Sequence, residues 1–373
     1  MDFSFTEEQT LLRNSVQKYL ADNYTFEHFK KISRTEPGWS QKDWKQFAEL
    51  GLMAAPLPEA YGGLGGGPVD VMVVMEEFGK SLVVEPYVST VVVGGGFFQH
   101  GGSDAQKEEW LNKIAAGDAV IAFAFAEPQG RFNFADLKTT AKKDGSGYTL
   151  NGAKAVVLGA PWADTLIVTA RTAGGQRDAK GVSVFVVDKK AKGIATRDYP
   201  TVDGLHASEI TFENTPATLI GTADDGLKLV EQVTDEAIAA HASEAVGAMR
   251  VLVNATVEYS KTRKQFGVPI GKFQVLQHRM VDMFMNAEQS ASITYMVTLK
   301  LGESEVERKK AASAAKVQIG KAGRFVGQQA VQIHGGMGMT DELNVGHYFK
   351  RLTMLDTLYG NVDHHLKRYA ELG

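Results

Sequence analysis

The sequence predicts an α+β protein with a helical N-terminal region, a central β region and a helical C-terminal region. Apolar residues recur at helical spacing from residue 3 to about 115. From about 118 to 222, β-branched and aromatic runs alternate with turn signals, and long helical patterns return from about 224. Because no helical pattern separates the strand runs, an antiparallel barrel or sandwich is favoured. We therefore expect domains at 1–117, 118–223 and 224–373.

Composition excludes several classes of function. The 373 residues carry a net charge of −4, which gives no electrostatic footprint for nucleic acid. The absence of cysteine excludes disulfides, thiolate catalysis and cysteine metal sites, and we expect no bound metal. The start, MDFSFTEEQ, lacks a secretory signal, and the apolar stretch VSTVVVGGGFF is too short to cross a bilayer. We expect a soluble, cytoplasmic protein without membrane insertion.

Two helices are predicted in the N-terminal region. The segment FTEEQTLLRNSVQKYLADNY begins after Thr6, a candidate N-cap, and one face of it carries the apolar residues Leu11, Leu12, Val16, Tyr19 and Leu20. The second helix is DVMVVMEEFGKSL. The five glycines of EAYGGLGGGPVD, which lies between them, permit either a mobile connection or a close backbone approach, and we interpret the segment as a mobile loop.

Five segments of the central region are predicted as strands: AVIAFAFAEP, GYTLNGAKAVVLG, DTLIVTAR, GVSVFVVDK and ASEITFENT. Turn signals at Asp144-Gly145 and Asn151-Gly152 are expected to separate strands. The C-terminal region contains three long helical patterns, AIAAHASEAVGAMRVLVNATVEYSKTRKQFG, KFQVLQHRMVDMFMNAEQSASITYMVTLKLG and RKKAASAAKVQIGKAGRFVGQQAVQIHGG, and a further helix is expected to open at Thr340. In the third pattern Gly320, Gly323 and Gly327 share one face, which indicates close packing in a bundle core or a subunit contact.

This order of domains, together with EYSKTRKQFGVPIGKFQVLQHRMVDM and AVQIHGGMGMTDE, resembles the acyl-CoA dehydrogenase family over essentially the whole chain. The fold implied is that family's, with a helical N-terminal domain, a central antiparallel β domain and a C-terminal four-helix bundle. The resemblance is greatest to the short subunit of two-subunit α2β2 enzymes, such as the pimeloyl-CoA dehydrogenase small subunit. It implies FAD, an acyl-CoA substrate, α,β-desaturation of the thioester and electron transfer to electron-transferring flavoprotein.

In this family the FAD site is shared between two subunits, and one of them grips the pyrophosphate and adenosine. The matching positions here are Arg263, Gln265, Phe266, Ile270, Phe273, Gln274, Gln332, Gly335 and Gly336. Their chemistry suits the task, because Arg263 is a permanent cation, the amides offer hydrogen bonds, and the two glycines let backbone N–H groups approach an anion.

The positions that would hold the flavin ring depart from the family pattern. A threonine hydroxyl expected before Glu127 is replaced by Ala126, and Arg131, Phe132 and Asn133 follow where a small hydroxyl-bearing stretch is expected. Val156 and Leu158 replace an expected tryptophan and threonine. Each change removes a polar contact or an aromatic wall, so we expect a poor or empty flavin slot in this chain.

The usual catalytic glutamate is also missing. Its position is taken by Tyr359, whose ordinary pKa of about 10 makes it a poor base, and an alternative position ten residues before Gly247 is Ala237. Glu244 is the remaining candidate base, although a partner Arg or Lys in the bundle is the simpler expectation. Asp235 matches a position near the CoA chain. His364 and His365 resemble the histidine that replaces the glutamate in flavin monooxygenases of this fold. We nevertheless interpret them as solvated surface residues.

The resemblance therefore implies a subunit of an FAD-dependent acyl-CoA dehydrogenase acting in the degradation of fatty acids, sterols or dicarboxylates. It would lend the ADP half of the FAD site to a homologous catalytic subunit in an α2β2 complex. Three alternatives stay open: a self-sufficient homotetramer using Glu244, a flavin oxidase or monooxygenase on the same fold, and a structural subunit without cofactor.

Overall fold

The computed structural model describes residues 4–145 and 147–373, so residues 1–3 of the first expected domain lie outside the described residues. The α-helices are α1 (Glu7–Asn23), α2 (Phe26–Ser33), α3 (Gln41–Glu49), α4 (Pro68–Ser81), α5 (Gly95–Gly101), α6 (Asp104–Ala116), α7 (Leu227–Thr262), α8 (Gln274–Lys300), α9 (Glu305–His334), α10 (Val345–Thr357) and α11 (Val362–Glu371). The strands are β1 (Ile121–Ala124), β2 (Thr140–Asp144), β3 (Gly147–Leu158), β4 (Thr165–Arg171), β5 (Val182–Asp188), β6 (Ile194–Pro200), β7 (His206–Ile220), β8 (Lys264–Gln265) and β9 (Val268–Pro269).

The chain divides into two compact units. One contains the chain up to Lys31 together with Pro68–Val83 and Ile238–Gly373, and is helical apart from the small β8–β9 hairpin. The other contains Ile32–Gly67 and Val84–Ala237 and includes the seven-stranded sheet. Within residues 4–145 and 147–373, no helix has the length and apolar character needed to cross a membrane.

The seven-stranded sheet is mostly antiparallel, as predicted, and five of its strands close into a ring. Successive pairings join β4 to β2, β2 to β3, β3 to β7, β7 to β5, and β5 back to β4. The β1–β4 pairing and the single β2–β4 pair are parallel, and β6 adds to the edge of β7. Of the two predicted alternatives, the pairing favours a barrel.

Three details of the strand prediction are wrong. Strands β2 and β6 are absent from it, because their sequences, TAKKD and IATRDYP, are mostly exposed and lack an apolar face. The Asn151-Gly152 pair is not a turn but lies inside β3, at a register shift against β7. Gly152 has φ +146°, and a Cβ there would lie 2.6 Å from the Cα of Thr139, so the bulge itself requires glycine.

For α1, the predicted N-cap is confirmed and the predicted apolar face is confirmed in part. Thr6 caps α1, because its hydroxyl accepts a hydrogen bond from the Gln9 N–H at 3.2 Å and the Gln9 side chain accepts from the Thr6 N–H at 3.1 Å. Val16 and Leu20 are buried, whereas Leu11 is 66% exposed and does not belong to the packed face.

The glycine-rich loop that follows the 3₁₀ turn Glu59–Tyr61 is tightly packed, so its interpretation as a mobile connection is wrong. The Leu64 N–H donates to the Ala54 carbonyl at 2.9 Å, and a Cβ on Gly63 would lie 2.0 Å from the Leu57 carbonyl oxygen. The alternative interpretation, a close backbone approach, is what the glycines provide.

The long C-terminal helices occur with shifted ends. Helix α7 begins before the predicted segment and ends at Thr262, so the residues KQFG form a hairpin rather than helix. Thr340 does not open a helix, because Gly335–Met339 is a 3₁₀ turn that Thr340 follows, and α10 begins at Val345.

The glycine face of α9 lies against α10, which supports the bundle-core interpretation. Added Cβ atoms on Gly320 and Gly327 would lie 2.3 Å from Asp356 Oδ1 and 2.6 Å from the Phe349 ring. A second close crossing joins α4 to α7. There a Cβ on Gly79 would lie 2.0 Å from the Glu244 carbonyl oxygen, and one on Gly247 would lie 2.0 Å from the Glu76 carbonyl oxygen.

A buried ion pair anchors the segment after β1 to β3. Lys154 Nζ donates to Glu127 Oε1 at 2.8 Å, and both side chains are almost fully buried. Burial raises the pKa of Glu127, but the Lys154 ammonium and the donors of Gln129 and Lys138 outweigh it and lower that pKa to about 2. Burial lowers the pKa of Lys154 to about 8, so both groups are charged at neutral pH.

Replacing Gly247 by Ala is expected to reduce the free energy of unfolding by about 1–3 kcal/mol, because the new methyl group meets rigid backbone of α4. Urea unfolding followed by circular dichroism measures this. Gly302→Ala is the matched control, since a Cβ there meets nothing within 4 Å, and its effect should stay within about 0.5 kcal/mol. Equal stability of the two variants would contradict the close α4–α7 crossing.

Replacing Lys154 by Met is expected to reduce stability at pH 7 by about 3–5 kcal/mol, because it leaves a buried carboxylate without its cation. The folded pKa of Glu127 lies below its ordinary value of 4.5, so its contribution is present above about pH 4.5 and is lost as the pH falls towards 2. Thermal unfolding at pH 7, 5 and 3 should show a smaller acid-dependent loss in the variant. Lys142→Met, at an exposed position of β2, is the control, and an unchanged pH profile in Lys154→Met would refute the assignment.

Candidate functional site

The C-terminal ends of α7 and α9 are joined by an aromatic contact. The rings of Tyr259 and His334 stack with their centroids 4.3 Å apart, and the Tyr259 hydroxyl donates to the His334 carbonyl at 3.4 Å. Tyr259 lies one helical turn before Arg263, and His334 directly precedes Gly335. The contact therefore brings the two separate halves of the predicted ADP-binding signature to the same end of the helical unit.

The first half of the signature is a strained hairpin. Phe266 and Gly267 join β8 to β9 with φ of +52° and +80°, which is the backbone of a type I′ turn. A phenylalanine in this left-handed region costs about 1–2 kcal/mol, and the ring is 91% exposed with only an edge contact to Phe273 at 6.2 Å. Strain that presents an apolar ring to solvent is typical of a contact site.

Arg263 presents a cation at the base of this hairpin. Its backbone is fixed, because its N–H donates to the Tyr259 carbonyl at 2.9 Å and its carbonyl accepts from the Ile270 N–H at 2.8 Å. Its side chain is exposed, and among the described residues no acid pairs with the guanidinium. The side chains of Gln265, Gln274 and Gln332 are also exposed. The hairpin therefore offers an exposed, unneutralised cation on a fixed backbone, and Gln265 of the same hairpin adds an exposed amide.

Gly335 and Gly336 form the second half of the signature. Gly335 has φ +61° and ψ −141°, a conformation open essentially to glycine alone. Gly336 has no such backbone requirement, and a Cβ at either position would meet nothing within 4 Å among the described residues. The packing of this chain therefore does not explain why Gly336 lacks a side chain, whereas a ligand approaching the backbone would. The Gly335 N–H already donates to the Gln332 carbonyl, so it is the open backbone at Gly336 that could approach a diphosphate.

The residues of the expected flavin slot lie in the β-containing unit and lack the expected threonine hydroxyls at Ala126 and Leu158. Ala126 has no hydroxyl, and its carbonyl is already used by the Ala155 N–H at 2.9 Å. The Gln129 amide turns inward to Glu127 Oε2 at 2.8 Å. Exposed Arg131 has φ +46° in the turn that follows. The segment after β1 is therefore held by hydrogen bonds within the β-containing unit, which leaves these groups occupied.

Aromatic rings extend from the core into the same region. Phe123 stacks on Phe125 at 5.0 Å, and Phe134 meets Phe125 edge-on at 5.4 Å. At the bulge of β3, Val156 has φ +51° and is 49% exposed, a strained conformation for a β-branched residue. The slot thus offers apolar surface but not the hydroxyl donors that a flavin ring would need, so the residues present do not fit the ring half of FAD.

Neither expected base position carries a base. Ala237 is fully buried, and burial raises the pKa of Tyr359 far above its usual range, so the phenol stays protonated. Asp235 is also fully buried. Its predicted role near the CoA chain stays a prediction.

Glu244 is paired, in line with the simpler expectation. Arg351 donates from Nε to Oε1 at 2.5 Å and from Nη2 to Oε2 at 2.9 Å, and His241 Nδ1 contacts Oε2 at 3.0 Å. Burial raises the pKa of Glu244, but the Arg351 charge and the bonds from both partners outweigh it and lower that pKa to about 2. A carboxylate held this way is a weak proton acceptor.

The interpretation of the two C-terminal histidines as solvated is wrong for His365, which is 1% exposed. The reason is that α11 packs against α9, where His365 Nδ1 meets the Ser313 hydroxyl at 3.3 Å, and Nε2 meets the carbonyl of Tyr359, which lies between α10 and α11, at 3.1 Å. Burial lowers the pKa of His365 to about 3, so the ring is neutral. His364 is half-buried.

Sequence reasoning missed three residues that organise these sites: Tyr259, His241 and Arg351. The spacing of Tyr259 one turn before Arg263 is a usable signal. No local pattern could connect Arg351 to Glu244, because 107 positions separate them.

Comparison with known proteins places this geometry in a family. Three domain models of acyl-CoA dehydrogenase match in order: the N-terminal domain at residues 6–118, the middle domain at 122–215 and the C-terminal domain at 224–371. A Bacillus subtilis (strain 168) protein named Probable acyl-CoA dehydrogenase YngJ is 31% identical over 354 residues, covering 92% of each chain.

Similar solved structures point to the same family. A variant of the Tcur3481-Tcur3483 steroid ACAD is 27% identical with a TM-score of 0.89, covering 98% of this chain and 97% of that one. Butyryl-CoA dehydrogenase from Megasphaera elsdenii is 25% identical with a TM-score of 0.91, covering 100% and 99%. The predicted fold and cofactor class are thereby confirmed, and the chain belongs to the acyl-CoA dehydrogenase family, whose enzymes are oxidoreductases that use FAD.

Proposed function

We propose that this chain is one subunit of a heteromeric, α2β2 acyl-CoA dehydrogenase and that it supplies the ADP half of the FAD site to a partner subunit. The partner would carry the slot for the flavin ring, the base and the acyl pocket. When bound, FAD accepts a hydride from the substrate β-carbon, and in this family electrons then pass to electron-transferring flavoprotein. The expected domains at 1–117, 118–223 and 224–373 and the cytoplasmic location are part of the same proposal.

The observation that carries the proposal is an imbalance between two half-sites in one chain. The ADP half has an exposed, unneutralised Arg263, a strained exposed Phe266 and open space at Gly336. The ring half has lost its hydroxyl donors at Ala126 and Leu158. An unpaired cation and a strained, exposed apolar ring indicate contact with a ligand. The ring half of this chain has few side-chain groups that could bind the flavin ring of the same cofactor.

An exposed apolar stripe on α8 supports association with another subunit. Val281, Phe284 and Met285 are between 46% and 54% exposed and follow i, i+3, i+4 helical spacing. A contiguous apolar patch of this kind marks protein interfaces more often than solvent-facing surface. The stripe begins at Val281, two helical turns after Gln274 on the same face of α8, so a subunit docked on it would lie close to the proposed ADP half-site.

The pairing of Glu244 argues against the self-sufficient homotetramer that would use it as a base, since its pKa of about 2 disfavours proton uptake at neutral pH. The heteromer is supported by the resemblance to the short subunit of pimeloyl-CoA dehydrogenase and by the similar steroid ACAD, whose name, Tcur3481-Tcur3483, joins two polypeptides. Substrate selectivity would lie in the partner, and a fatty-acyl, sterol or dicarboxyl chain is compatible with this division.

Replacing Arg263 by Ala is expected to weaken FAD retention in the co-expressed complex about 10–100-fold, the loss of one charge-assisted contact of about 1.5–3 kcal/mol. Flavin absorbance per protein after gel filtration measures this. Arg197→Ala, at an exposed position of β6, is the matched control and should retain FAD. Unchanged FAD content in Arg263→Ala would instead favour a structural subunit without a cofactor role.

Replacing Gly336 by Val separates ligand binding from folding. Because a Cβ at Gly336 meets nothing within 4 Å, the apparent Tm of the chain should change by no more than the equivalent of about 0.5 kcal/mol. FAD content of the complex should nevertheless fall, since the side chain fills the space used by the diphosphate. A variant that loses stability but keeps FAD would show that the glycine serves the fold and not the cofactor.

A further inference from the structure

A groove on the β-containing unit lies between helix α6 and the sheet. Its volume is about 560 Å³, which is within the range that is usual for small-molecule sites. Strands β4, β5 and β7 contribute one side of it, and α6 contributes the other. All of its lining residues belong to the β-containing unit, and none of them is part of the proposed ADP half-site or of the expected flavin slot.

Strand pairing places four of the lining residues on one face of the sheet. Thr165 of β4 lies opposite Asp188 of β5. Val186, two positions before Asp188, lies opposite Thr218 of β7. Side chains that are directly opposite each other, or two positions apart on one strand, share a face. The Thr165 hydroxyl and the Asp188 carboxylate are therefore neighbours on the surface that faces the groove.

The hydroxyl of Thr165 has no hydrogen-bond partner in the protein. Thr165 is only 5% exposed, and among residues 4–145 and 147–373 no group hydrogen-bonds to its side chain. Its oxygen is not one of the polar atoms that are sealed from solvent without a partner, so its remaining exposed surface opens onto the groove that it lines. Buried hydroxyl groups normally have a partner, so an unused one at the floor of a groove points to a ligand.

The charged groups beside this hydroxyl favour a cationic ligand. Asp188 Oδ1 accepts the Lys190 N–H at 2.8 Å, which orients the carboxylate and leaves Oδ2 without a bond among the described residues. Asp164, also on the groove, accepts only a long bond of 3.4 Å from the Val120 N–H. Within the described part of the chain neither acid has an ion-pair partner, and neither has the Lys190 ammonium. The two unpaired carboxylates therefore outnumber the unpaired cation.

Two other lysines near the groove are already engaged. Lys113 pairs with Glu109 at 2.7 Å, and its ammonium lies 4.6 Å from the centre of the Trp110 ring. Lys189 donates to a backbone carbonyl. The charge of Lys189 also acts on Asp164, so the carboxylate beside the free hydroxyl is the less compensated of the two.

An organic cation fits these groups better than a metal ion does. Among residues 4–145 and 147–373, no three histidine, aspartate or glutamate side chains come together as a metal site requires. A guanidinium has five N–H donors in one plane, so it can bond to a carboxylate and a hydroxyl at once while its face lies along an apolar side chain. Asp188, Thr165 and Val186 offer these three contacts on one face.

We propose that this groove binds a guanidinium group, with Asp188 and Thr165 as its hydrogen-bond partners and Asp164 adding negative charge. The guanidinium belongs either to a free guanidino compound or to an arginine side chain of another protein, and the recognition chemistry is the same for both. The site goes beyond the proposed function, because it shares no residue with the proposed ADP half-site. It needs neither FAD nor a partner subunit, so the purified chain should bind the ligand.

Isothermal titration calorimetry of the full chain with agmatine tests the proposal. Saturable binding to one site per chain is expected, and it should weaken as salt is added because the contact is charge-assisted. Asp188→Asn should weaken binding roughly tenfold, and Thr165→Val should weaken it roughly threefold. Glu108→Gln on α6 and Thr211→Val on β7, both exposed and outside the groove, are the matched controls and should bind as the wild type does.

Putrescine is the matched ligand control, because it carries an ammonium where agmatine carries the guanidinium. It should bind more weakly than agmatine, and equal binding would overturn guanidinium recognition. Agmatine binding that is unchanged in Asp188→Asn would overturn the assignment of the site. If Thr165→Val does not fold, Asp188→Asn still decides the question, since Asp188 is exposed. Methyl NMR should show agmatine-dependent shifts at Val186, and their absence would also contradict the proposal.

A blocked peptide with a single arginine distinguishes the two sources of the guanidinium. Tighter binding of the peptide than of agmatine supports an arginine of a partner protein, and tighter binding of agmatine supports a free guanidino compound. Binding of neither overturns the inference. The FAD content of the co-expressed complex should be the same in Asp188→Asn and wild type, so this inference and the proposed function fail in different measurements.

Discussion

The stack of Tyr259 on His334 is the contact on which the proposed ADP half-site depends. Two long helices, α7 and α9, approach the same end of their unit, and this contact fixes their last turns relative to each other. Without it, the hairpin that carries Arg263 and the 3₁₀ turn that carries Gly335 would be independent loops. With it, the segment that carries Arg263 and the open backbone at Gly336 lie at the same end of the unit, which suits an extended diphosphate ligand.

Buried charges in the core are paired with opposite charges, whereas the cation of the proposed half-site is not. Glu127 is buried with Lys154, and Glu244 with Arg351, and each buried carboxylate has further hydrogen bonds. These pairs meet the rule that a buried charge needs a partner and additional donors. Arg263 has its backbone fixed equally well, yet its guanidinium is left without an acid among the described residues. The contrast supports the proposal that the buried pairs serve the architecture and that Arg263 serves binding.

Much of the fold is predictable because helical periodicity and β-branched runs are local signals. The cap at Thr6 and helices α8 and α9 follow from such signals, and the glycine face of α9 correctly indicates close helix packing. Failures arise where local sequence is ambiguous. Strands β2 and β6 are too polar and exposed to show an apolar face, and Asn151-Gly152 serves a bulge as readily as a turn.

In the candidate sites, too, local motifs reveal some residues and only the fold brings the others together. The proposed ADP half-site lies in two short motifs, so the sequence can point to each candidate residue, although not to the contact that joins the motifs. The His241–Glu244–Arg351 cluster depends on packing of α10 against the rest of its unit. Arg351 lies 107 positions after Glu244, and His241 precedes Glu244 by three residues. Only the three-dimensional arrangement reveals the cluster.

The most direct test of the central claim is the number of FAD molecules per polypeptide in the complex purified after co-expression with the partner. If this chain grips FAD for a neighbour and leaves its own ring slot empty, the complex should contain half as many FAD molecules as polypeptide chains, and this chain purified alone should be colourless. One FAD for every chain, with an isolated preparation that is yellow and is bleached by an acyl-CoA, would contradict the account.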